Sequence, residues 1–536
     1  MNYYTRTLEA RITEALSIMP VVFVNGPRQA GKSTLVQHIV SKLGFDADYV
    51  TLDDITTYAS AENDPEGFLR RFTKPVIIDE VQRVPELFRV LKLLVDEYRI
   101  RDKAHANGRF LLTGSANILA LPGLSDALVG RMAILSLYPL SASEVFGQGK
   151  PVINGWFDQE IGFEKNTDTK HNKHLFDDVI HHATFPEITQ SDRKASVVWF
   201  DGYLTTSLQH DVRQLAEIDK IAALPNIVKV LAARTGGLLN DADCARDAKL
   251  NTVTYRRYRL MIQQLFLISL VPPWYRNIGK RLVKSPKLFF TDTAMLCHLL
   301  GTEASSLQQQ NPGLFGHIFE NFVASELTKQ LATLSDATLY HFRTHDNKEV
   351  DFVIERRNGT LLGIEVKARD SITERDFLGL KLLKEQIGKD FARGIVLYMG
   401  KDTIPFGDDM VAMPLDNLWR FNMEVTTDRD IRTMQSLDGY IFWAKYGERT
   451  RLRCFISRET IDDYFHNNAS EVQSLAAIHR HWHAIWPIFV RKMTAGQIEI
   501  IRHDNGVEYI QGRYQDIKQV TLEPRDFGNT DFRDAT

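Results

Sequence analysis

The chain has 536 residues, 44% hydrophobic and 25% charged, and its 65 Lys+Arg against 68 Asp+Glu leave a formal net charge of −3. That length is too great for one core and predicts roughly three or four domains, while the composition excludes a disordered, collagen-like or disulfide-scaffold chain. A balance so near zero says nothing for or against nucleic acid, so the charge has to be read segment by segment.

Cys244, Cys297 and Cys454 stand far apart without zinc-ligand spacing, which predicts free thiols and no structural zinc. The opening MNYYTRTLEARI lacks the apolar core of a signal peptide. The most apolar helix-like stretch, 260–271, contains Gln263 and Gln264 and is shorter than the roughly 20 residues a bilayer span needs. A cytosolic protein without membrane contact is expected.

Residues 21–26, VVFVNG, read as a short buried strand ending in glycine. Gly26-Pro27-Arg28-Gln29-Ala30-Gly31-Lys32-Ser33-Thr34 follows, then the helix-like LVQHIVSKL. This is a full G-x-x-x-x-G-K-[ST] loop, a Walker A element, in its strand–loop–helix setting. Its backbone N–H groups are suited to wrap the phosphates of ATP, with Lys32 on the β- and γ-phosphates and the Ser33 hydroxyl on Mg²⁺. Residues 74–80, KPVIIDE, supply the Walker B strand about 45 residues later. Asp79 is expected in the Mg²⁺ shell and Glu80 as the group that polarises the attacking water. A third strand over 110–115 ends in small polar residues.

In this order and spacing, GPRQAGKSTL, VIIDEVQRVPEL, LLTGSAN and LVGRMAILSLYPLSASEV resemble a large bacterial and archaeal family of AAA-like ATPases. The resemblance extends to about residue 418. It implies, after the ATPase, a winged-helix segment and a C-terminal domain of unknown function with a restriction-endonuclease-like core. It also implies that the third strand lies between the other two, with Ser115, then Thr113 and Asn117, facing the γ-phosphate. Arg131 of LVGR is either a γ-phosphate reader, in the same chain or a neighbouring subunit, or a structural surface arginine. Where the family tends to have two glycines before Phe-Pro-Glu, this chain has Ala183-Thr184.

Residues 150–195 read as a loop-rich connection, in which His171, His174, His181 and His182 have no metal-ligand spacing. His210-Asp211-Val212-Arg213 reads as a structural acidic–basic pair at a helix end. Over 225–290, IVKVLAARTG and NDADCARDAKL read as helices, and Asn251-Thr252 caps a third, VTYRRYRLMIQQLFLISLV. A β-wing follows Pro272-Pro273, giving a winged helix-turn-helix layout. From Arg246 to Lys287 there are ten Lys/Arg against one acid, Asp247, a local charge of +9. Arg256, Arg257, Arg259, Lys284 and Lys287 are the expected nucleic-acid contacts, DNA first with RNA left open; protein docking is the alternative use of such a face.

Further on, GHIFENFVASELTKQL carries Glu320 on a helix. Strict alternation turns Val350, Phe352 and Ile354 one way and Glu349 and Asp351 the other. After the Asn358-Gly359 turn, Glu365 and Lys367 share a face of the partner strand. The set resembles the Asp…Glu-x-Lys core of restriction-type nucleases. It implies Mg²⁺ held by Glu320, Asp351 and Glu365, with Asp351, Glu365 and Lys367 catalytic. Past residue 418, GYIFWAKYGERTRLRCFIS predicts two strands, RETIDDYFHN and SEVQSLAAIHRHWHAIWPIFVRKM helices, and 497–514 a hairpin through Asn505-Gly506. His479, His481 and His483 lack a third ligand outside their run, and Trp482 and Trp486 beside them suggest packing.

The expected fold is α/β: an AAA-like P-loop NTPase with a parallel sheet over 1–150, a linker and helical connection over 151–224, and a winged helix-turn-helix over 225–300. A restriction-endonuclease-like α/β domain over 301–419 and a small α+β module over 420–536 complete it. The expected function is Mg²⁺-dependent ATP binding and hydrolysis that controls nucleic-acid binding and a nuclease-like domain, with self-assembly through the ATPase. The alternative is an ATP-gated docking switch with a silent nuclease-like fold and protein partners.

Overall fold

The computed structural model describes residues 3–43, 45–101, 106–115, 130–146, 151–157, 175–208, 223–277, 279, 281, 284–344, 346 and 348–419. Beyond these it describes 425–427, 432–434, 439–446, 450–459, 478, 485, 489, 499–501, 509–510, 513–514 and 517–522. The chain divides into two compact units, residues 1–157 with 165–420 and residues 158–164 with 421–536.

The first unit opens with a parallel sheet of β1 (Val21–Asn25), β2 (Asp48–Thr51), β3 (Val76–Asp79), β4 (Phe110–Gly114) and β5 (Met132–Ser136), in the order β2-β3-β4-β1-β5. Its central strands are apolar on both faces because helices cover both sides. Val21, Phe23, Val76, Ile78, Phe110 and Leu112 meet Phe88, Leu91 and Val95 of the helix Leu87–Arg101. Val22, Val24, Ile77 and Leu111 meet Ile12, Leu35, Val36 and Ile39 on the other face. β4 lies between β1 and β3, as the resemblance implies. The carboxyl ends of the three strands therefore gather at one edge, the usual ligand crevice of an open α/β sheet.

The helices Leu224–Ala232, Asp241–Asp247 and Thr252–Gln264 follow. The last two are capped by Asn240, which accepts from Ala242 N–H at 3.0 Å, and Asn251, which accepts from Thr254 N–H at 2.8 Å. The third helix does not run on to Val271 as its periodicity predicts. It stops at Gln264, Phe266 takes a left-handed φ of 60°, and Ile268–Val271 becomes β6, antiparallel to β7 (Lys287–Phe290). A short apolar run fits either state, and here pairing with β7 decides.

The second sheet of this unit contains β8 (Ala337–Arg343), β9 (Glu349–Arg356), β10 (Leu361–Lys367), β11 (Phe391–Tyr398), β12 (Ile404–Pro405) and β13 (Met410–Pro414), ordered β12-β13-β11-β10-β9-β8. β8, β9 and β10 are antiparallel neighbours, and β10 runs parallel to β11. Between Tyr340 and Phe342 the β8–β9 register slips, so β9 carries an extra residue there. The strict alternation read from sequence consequently fails at this point. Asp351 meets Lys287 of β7 and the adjacent Phe352 meets Phe289 of the same strand, while Val350 and Val353 both join the core under the helix Leu378–Ile387. Bulges of this kind re-aim side chains. The helix Pro312–Leu331 is exposed at its start but buried on all sides from Asn321 to Leu327, with Phe315, Ile318, Phe319 and Phe322 beside Asn321, Glu326, Lys329 and Gln330.

In the second unit β16 (Gly439–Tyr446) and β17 (Thr450–Ser457) form the expected antiparallel pair, flanked by β14 (Val425–Thr427), β15 (Arg432–Met434), β18 (Glu499–Ile501) and β21 (Ile517–Leu522). The expected hairpin over 497–514 is not the pairing found. β18 pairs with β21, and β19 (Tyr509–Ile510) pairs with β20 (Arg513–Tyr514). Asn505, Gly506, His479, His481, His483, Trp482 and Trp486 lie outside the described residues. Cys244, Cys297 and Cys454 are free, buried thiols, and no helix among the described residues is long and apolar enough to cross a membrane.

Gly379 lets the helix Leu378–Ile387 approach β9 so closely that a Cβ there would sit 2.2 Å from the Glu349 carbonyl oxygen. Gly379→Ala is expected to cost about 1–3 kcal/mol, read as a lower denaturation midpoint. An unchanged midpoint would show that this contact does not limit the packing.

Candidate functional site

The nucleotide loop sits at the carboxyl end of β1. Gly26 has no room for a side chain, since a Cβ would lie 2.0 Å from the Leu137 carbonyl oxygen. Gln29 and Gly31 take left-handed φ values of 59° and 91°, which curl the loop into a cradle of N–H groups. Lys32 is buried and its ammonium donates to the Gly26 and Pro27 carbonyls at 3.1 and 2.8 Å. Ser33 is half-buried and Thr34 exposed in the first turn of the helix Lys32–Leu43. Arg28, Gln29 and Glu80 line a cleft of 460 Å³ with Glu187, Trp199 and Tyr203. A second cleft, 350 Å³, is lined by Gly31 and Thr34 together with Tyr3, Tyr4 and Pro186.

At the end of β3, Asp79 is buried and accepts from the Thr113 hydroxyl and from Tyr49 Oη at 2.9 Å. Burial and the Asp79 charge push the Tyr49 phenol up to about 12, keeping it a donor. Glu80 adopts a left-handed conformation, φ 58° and ψ 42°. Such strain, of order 1–3 kcal/mol, collects at functional sites. The Glu80 carboxylate accepts from Gln82 Nε2, which also donates to Ser115 Oγ at 3.0 Å. Asp79, Glu80, Thr113 and Ser115 thus meet at one edge of the sheet, while Asn117 lies outside the described residues. Gln82 was not picked out from sequence; its only signal is its place two residues after Glu80.

Arg131 is not brought to the loop of its own chain. Its carbonyl accepts from Val21 N–H at 3.2 Å, at the start of β1, whereas the loop follows the end of that strand. Its guanidinium makes a bidentate pair with Asp96, at 2.7 and 2.9 Å. A γ-phosphate role within one chain is therefore corrected to a structural one.

The carboxylates of the second sheet do converge, but around an unexpected cation. Lys287, 4% exposed, places its ammonium 2.7 Å from Glu320 Oε1 and 3.2 Å from Asp351 Oδ1, and also pairs with Glu349. Asp351 Oδ2 accepts from Val366 N–H at 2.9 Å, which fixes it beside Glu365. Lys367 donates to Glu365 Oε1 at 2.6 Å, while Glu365 Oε2 is buried without a hydrogen-bond partner. Burial, and then the Asp351 charge, push Glu320 and Glu365 up to about 8. Among the described residues no three His, Cys, Asp or Glu side chains are grouped to hold a metal. The expected Mg²⁺ ligation by Glu320, Asp351 and Glu365 does not fit this arrangement, because the Lys287 ammonium already lies between two of them. Lys287 is likewise corrected as a nucleic-acid contact, being buried among acids. No local signal in the sequence marks this role.

Folding pairs half of the ten basic residues of the +9 segment with acids. Arg256 and Arg259 pair with Asp241, at 2.8 and 3.0 Å, and Arg246 pairs with Asp243. Arg281 pairs with Glu355 of β9. Each acid lies outside the counted stretch. Lys249, Arg257, Arg276 and Lys284 remain on the surface. His181 and His182 bond the Ser191 and Thr189 carbonyls, and His171, His174 and residues 210–213 lie outside the described residues. Thr184, at the departure from the family pattern, is buried and donates to Asp292 Oδ2 at 2.8 Å.

Arg6 also escaped the sequence reading, 24 residues ahead of its loop partner. It donates to the Ala30 carbonyl at 2.7 Å, the Tyr138 carbonyl at 2.6 Å and Glu144 Oε1 at 3.1 Å. Both charged side chains are nearly inaccessible, 5% and 4% exposed. Burial raises the Glu144 carboxyl, but Arg6 and the Ser141 and Thr7 N–H groups outweigh it, leaving the group below its ordinary value. Arg6→Met, which strands a buried carboxylate, is expected to cost about 3–5 kcal/mol near neutral pH. A depressed pKa contributes stability above the unfolded value, lost as pH falls through the folded one. Denaturation measured from pH 7 to 3 should therefore show the gap between wild type and Arg6→Met narrowing; a constant gap would refute the pairing.

Comparison with known proteins agrees with this anatomy. A family described as AAA domain matches residues 19–146, and Domain of unknown function (DUF8612) and Domain of unknown function (DUF4143) match 173–306 and 315–418. The uncharacterized proteins Rv2008c of Mycobacterium tuberculosis and Mb2031c of Mycobacterium bovis are each 31% identical over 417 residues, 77% of this chain and 84% of theirs. Among solved structures, the Walker-type ATPase PABY2304 of Pyrococcus abyssi is similar over 56% of this chain and 96% of its own, with 13% identity and a TM-score of 0.35. The chain belongs to the family of these mycobacterial proteins, AAA-like P-loop ATPases that carry a C-terminal domain of unknown function.

Proposed function

We propose that the protein is a Mg²⁺-dependent ATPase whose nucleotide state controls a nucleic-acid-binding winged helix (residues 225–300) and a restriction-endonuclease-like domain (residues 301–419). Ser33 and Asp79, a hydroxyl and a carboxylate, would hold a phosphate-bound Mg²⁺, which would supply charge neutralisation for phosphoryl transfer. Lys32 turns from its loop carbonyls to the phosphates. Adenine and ribose enter the cleft between Tyr4, Pro186 and Thr34. Glu80 orients the attacking water, and Gln82 ties its carboxylate to Ser115, so both report on the γ-phosphate together.

One observation carries the coupling. Arg6 joins the Ala30 carbonyl of the loop to Glu144, Glu144 caps the helix Ala142–Phe146, and Ala142 N–H donates to Glu326 at 2.8 Å. Glu326 lies on the helix Pro312–Leu331, which also carries Glu320. A loop rearranged by ATP thereby acts on the helix that supports the carboxylates. Glu80→Gln is expected to keep ATP binding and slow turnover by about 10²–10⁴, and Lys32→Ala to lose binding. Undiminished turnover in Lys32→Ala would defeat the ATPase.

A second reading is favoured by Lys287: a docking switch in which the nuclease-like fold is silent. Lys249, Arg257, Arg276 and Lys284 give the means to separate the two. Affinity for single- and double-stranded DNA and RNA should fall steeply with salt if these residues meet phosphates. A flat salt dependence, with wild type and Asp351→Ala leaving every substrate uncut in Mg²⁺ and ATP, decides for the docking switch.

A further inference from the structure

Unpaired nucleic acid is held by two features at once, cations for its phosphates and aromatic or apolar surface for its bases. Both line one cleft of 570 Å³ in the first unit, between residues 274–276, the end of β8 and the helix Leu378–Ile387. That volume lies within the roughly 300–1,000 Å³ of small-molecule pockets. Trp274 and Phe342 line it deeply, 5% and 3% exposed, with ring centroids 6.3 Å apart. Tyr275, half-buried, adds a third ring. Arg276 and Lys348 are exposed and Arg343 half-buried, the last 3.6 Å from Glu349. Among the described residues of the cleft Asp346 alone is acidic, 3.8 Å from Lys348, so the lining is positive.

The walls are joined to each other by the chain itself. Trp274 N–H donates to the His341 carbonyl at 2.6 Å and His341 N–H to the Pro272 carbonyl at 2.9 Å, so residues 272–274 run alongside β8. Arg281 donates to the Tyr275 carbonyl at 2.6 Å, pairs with Glu355 of β9 and lies 5.3 Å from the Trp274 ring centre. Trp274 Nε1 donates to Glu355 Oε1 at 3.1 Å, so its polar atom is already satisfied and what the indole offers a ligand is ring surface. A cleft held this way loses little side-chain freedom when it is filled.

We propose that this cleft binds single-stranded nucleic acid, taking an unstacked base against Trp274, Tyr275 and Phe342 and the flanking phosphates on Arg276, Arg343 and Lys348. This rests on the reading of the protein as a nucleic-acid binder, and names the form of the polymer and where it lies. A duplex keeps its bases within its own stack, so its phosphates reach the cations while its bases do not reach the buried rings. An acidic peptide has charge for the cations but no flat π-face for the rings.

Fluorescence anisotropy of labelled oligo(dT) and oligo(U), about 12 nucleotides long, titrated with the full chain beside a duplex of equal length, tests this. Wild type is expected to bind the single strands more tightly than the duplex; binding of either oligomer in this pattern supports the cleft, and the tighter of the two names the sugar. Tyr275→Ala is expected to weaken single-strand binding by about tenfold, and Tyr275→Phe, which keeps the ring, to retain it. Arg276→Ala is expected to reduce the slope of log affinity against log salt by about 0.7. Single-strand binding that Tyr275→Ala and Arg276→Ala both leave unchanged overturns the cleft while the nucleic-acid reading stands, and so does duplex bound more tightly than single strand. Binding of neither form at low salt sinks both. Displacement of the oligomer by polyglutamate as readily as by unlabelled oligomer overturns the cleft in favour of an acidic protein partner. Should Tyr275→Ala lower the denaturation midpoint, Arg276→Ala, on an exposed side chain, decides alone.

Discussion

The first unit depends on one buried ion pair. Glu326 and Lys329, one turn apart on the helix Pro312–Leu331, are 0% and 5% exposed and 3.1 Å apart. Two charges removed from water repay their desolvation only when further hydrogen bonds complete them. The Ala142 N–H and Leu140 carbonyl, from the ATPase domain, and the Ala183 carbonyl, from the segment after it, do so. An apolar contact would tolerate sliding of this helix; directional bonds to three backbone groups do not. Gln330 adds to the register by accepting from Val152 N–H and donating to the Leu418 carbonyl. The helix is therefore held in one register against chain segments from both ends of the unit.

That register explains how two chemically distinct edges share a frame. One is the carboxyl edge of the parallel sheet, where the loop, Asp79, Glu80 and Ser115 meet. The other is the acid cluster on β9 and β10, which leans on Glu320. Between them runs a path of bonded groups through Arg6, Glu144, Ala142 and Glu326. Coupling through such a path needs an element with two arrangements.

What could be read from the sequence was what is local. The Gly26–Thr34 loop, the VIIDE strand and the Asn358-Gly359 hairpin are each specified within a dozen residues, and each stands where periodicity and turn chemistry put it. The AAA-like sheet order followed from resemblance. Charge proved the least local property. Counting from Arg246 to Lys287 missed Asp241 and Asp243, a few residues upstream, and Glu355, brought in by a sheet formed much later in the chain. Arg6 and Lys287 were illegible for the same reason: their partners are set by tertiary packing. The bulge beside Asp351 was hidden differently: Glu349 and Asp351 keep the shared face that alternation predicts, and the one extra residue turns Phe352, instead of a carboxylate, to that face.

The three cysteines have a practical sequel. All are buried; burial pushes the Cys297 thiol up to about 12 and also holds the Cys454 thiol above its ordinary value. Thiolate, the form that reacts, is scarce at neutral pH in such surroundings. The native chain is in this respect nearly a blank background for thiol-directed spectroscopy. A pair of cysteines introduced on exposed positions, one beside Lys284 and one on the helix Leu87–Arg101, would carry a donor and an acceptor dye with little competing label. The distance between the segment leading into β7 and the ATPase sheet then becomes an optical signal, followed in real time as nucleotide is added.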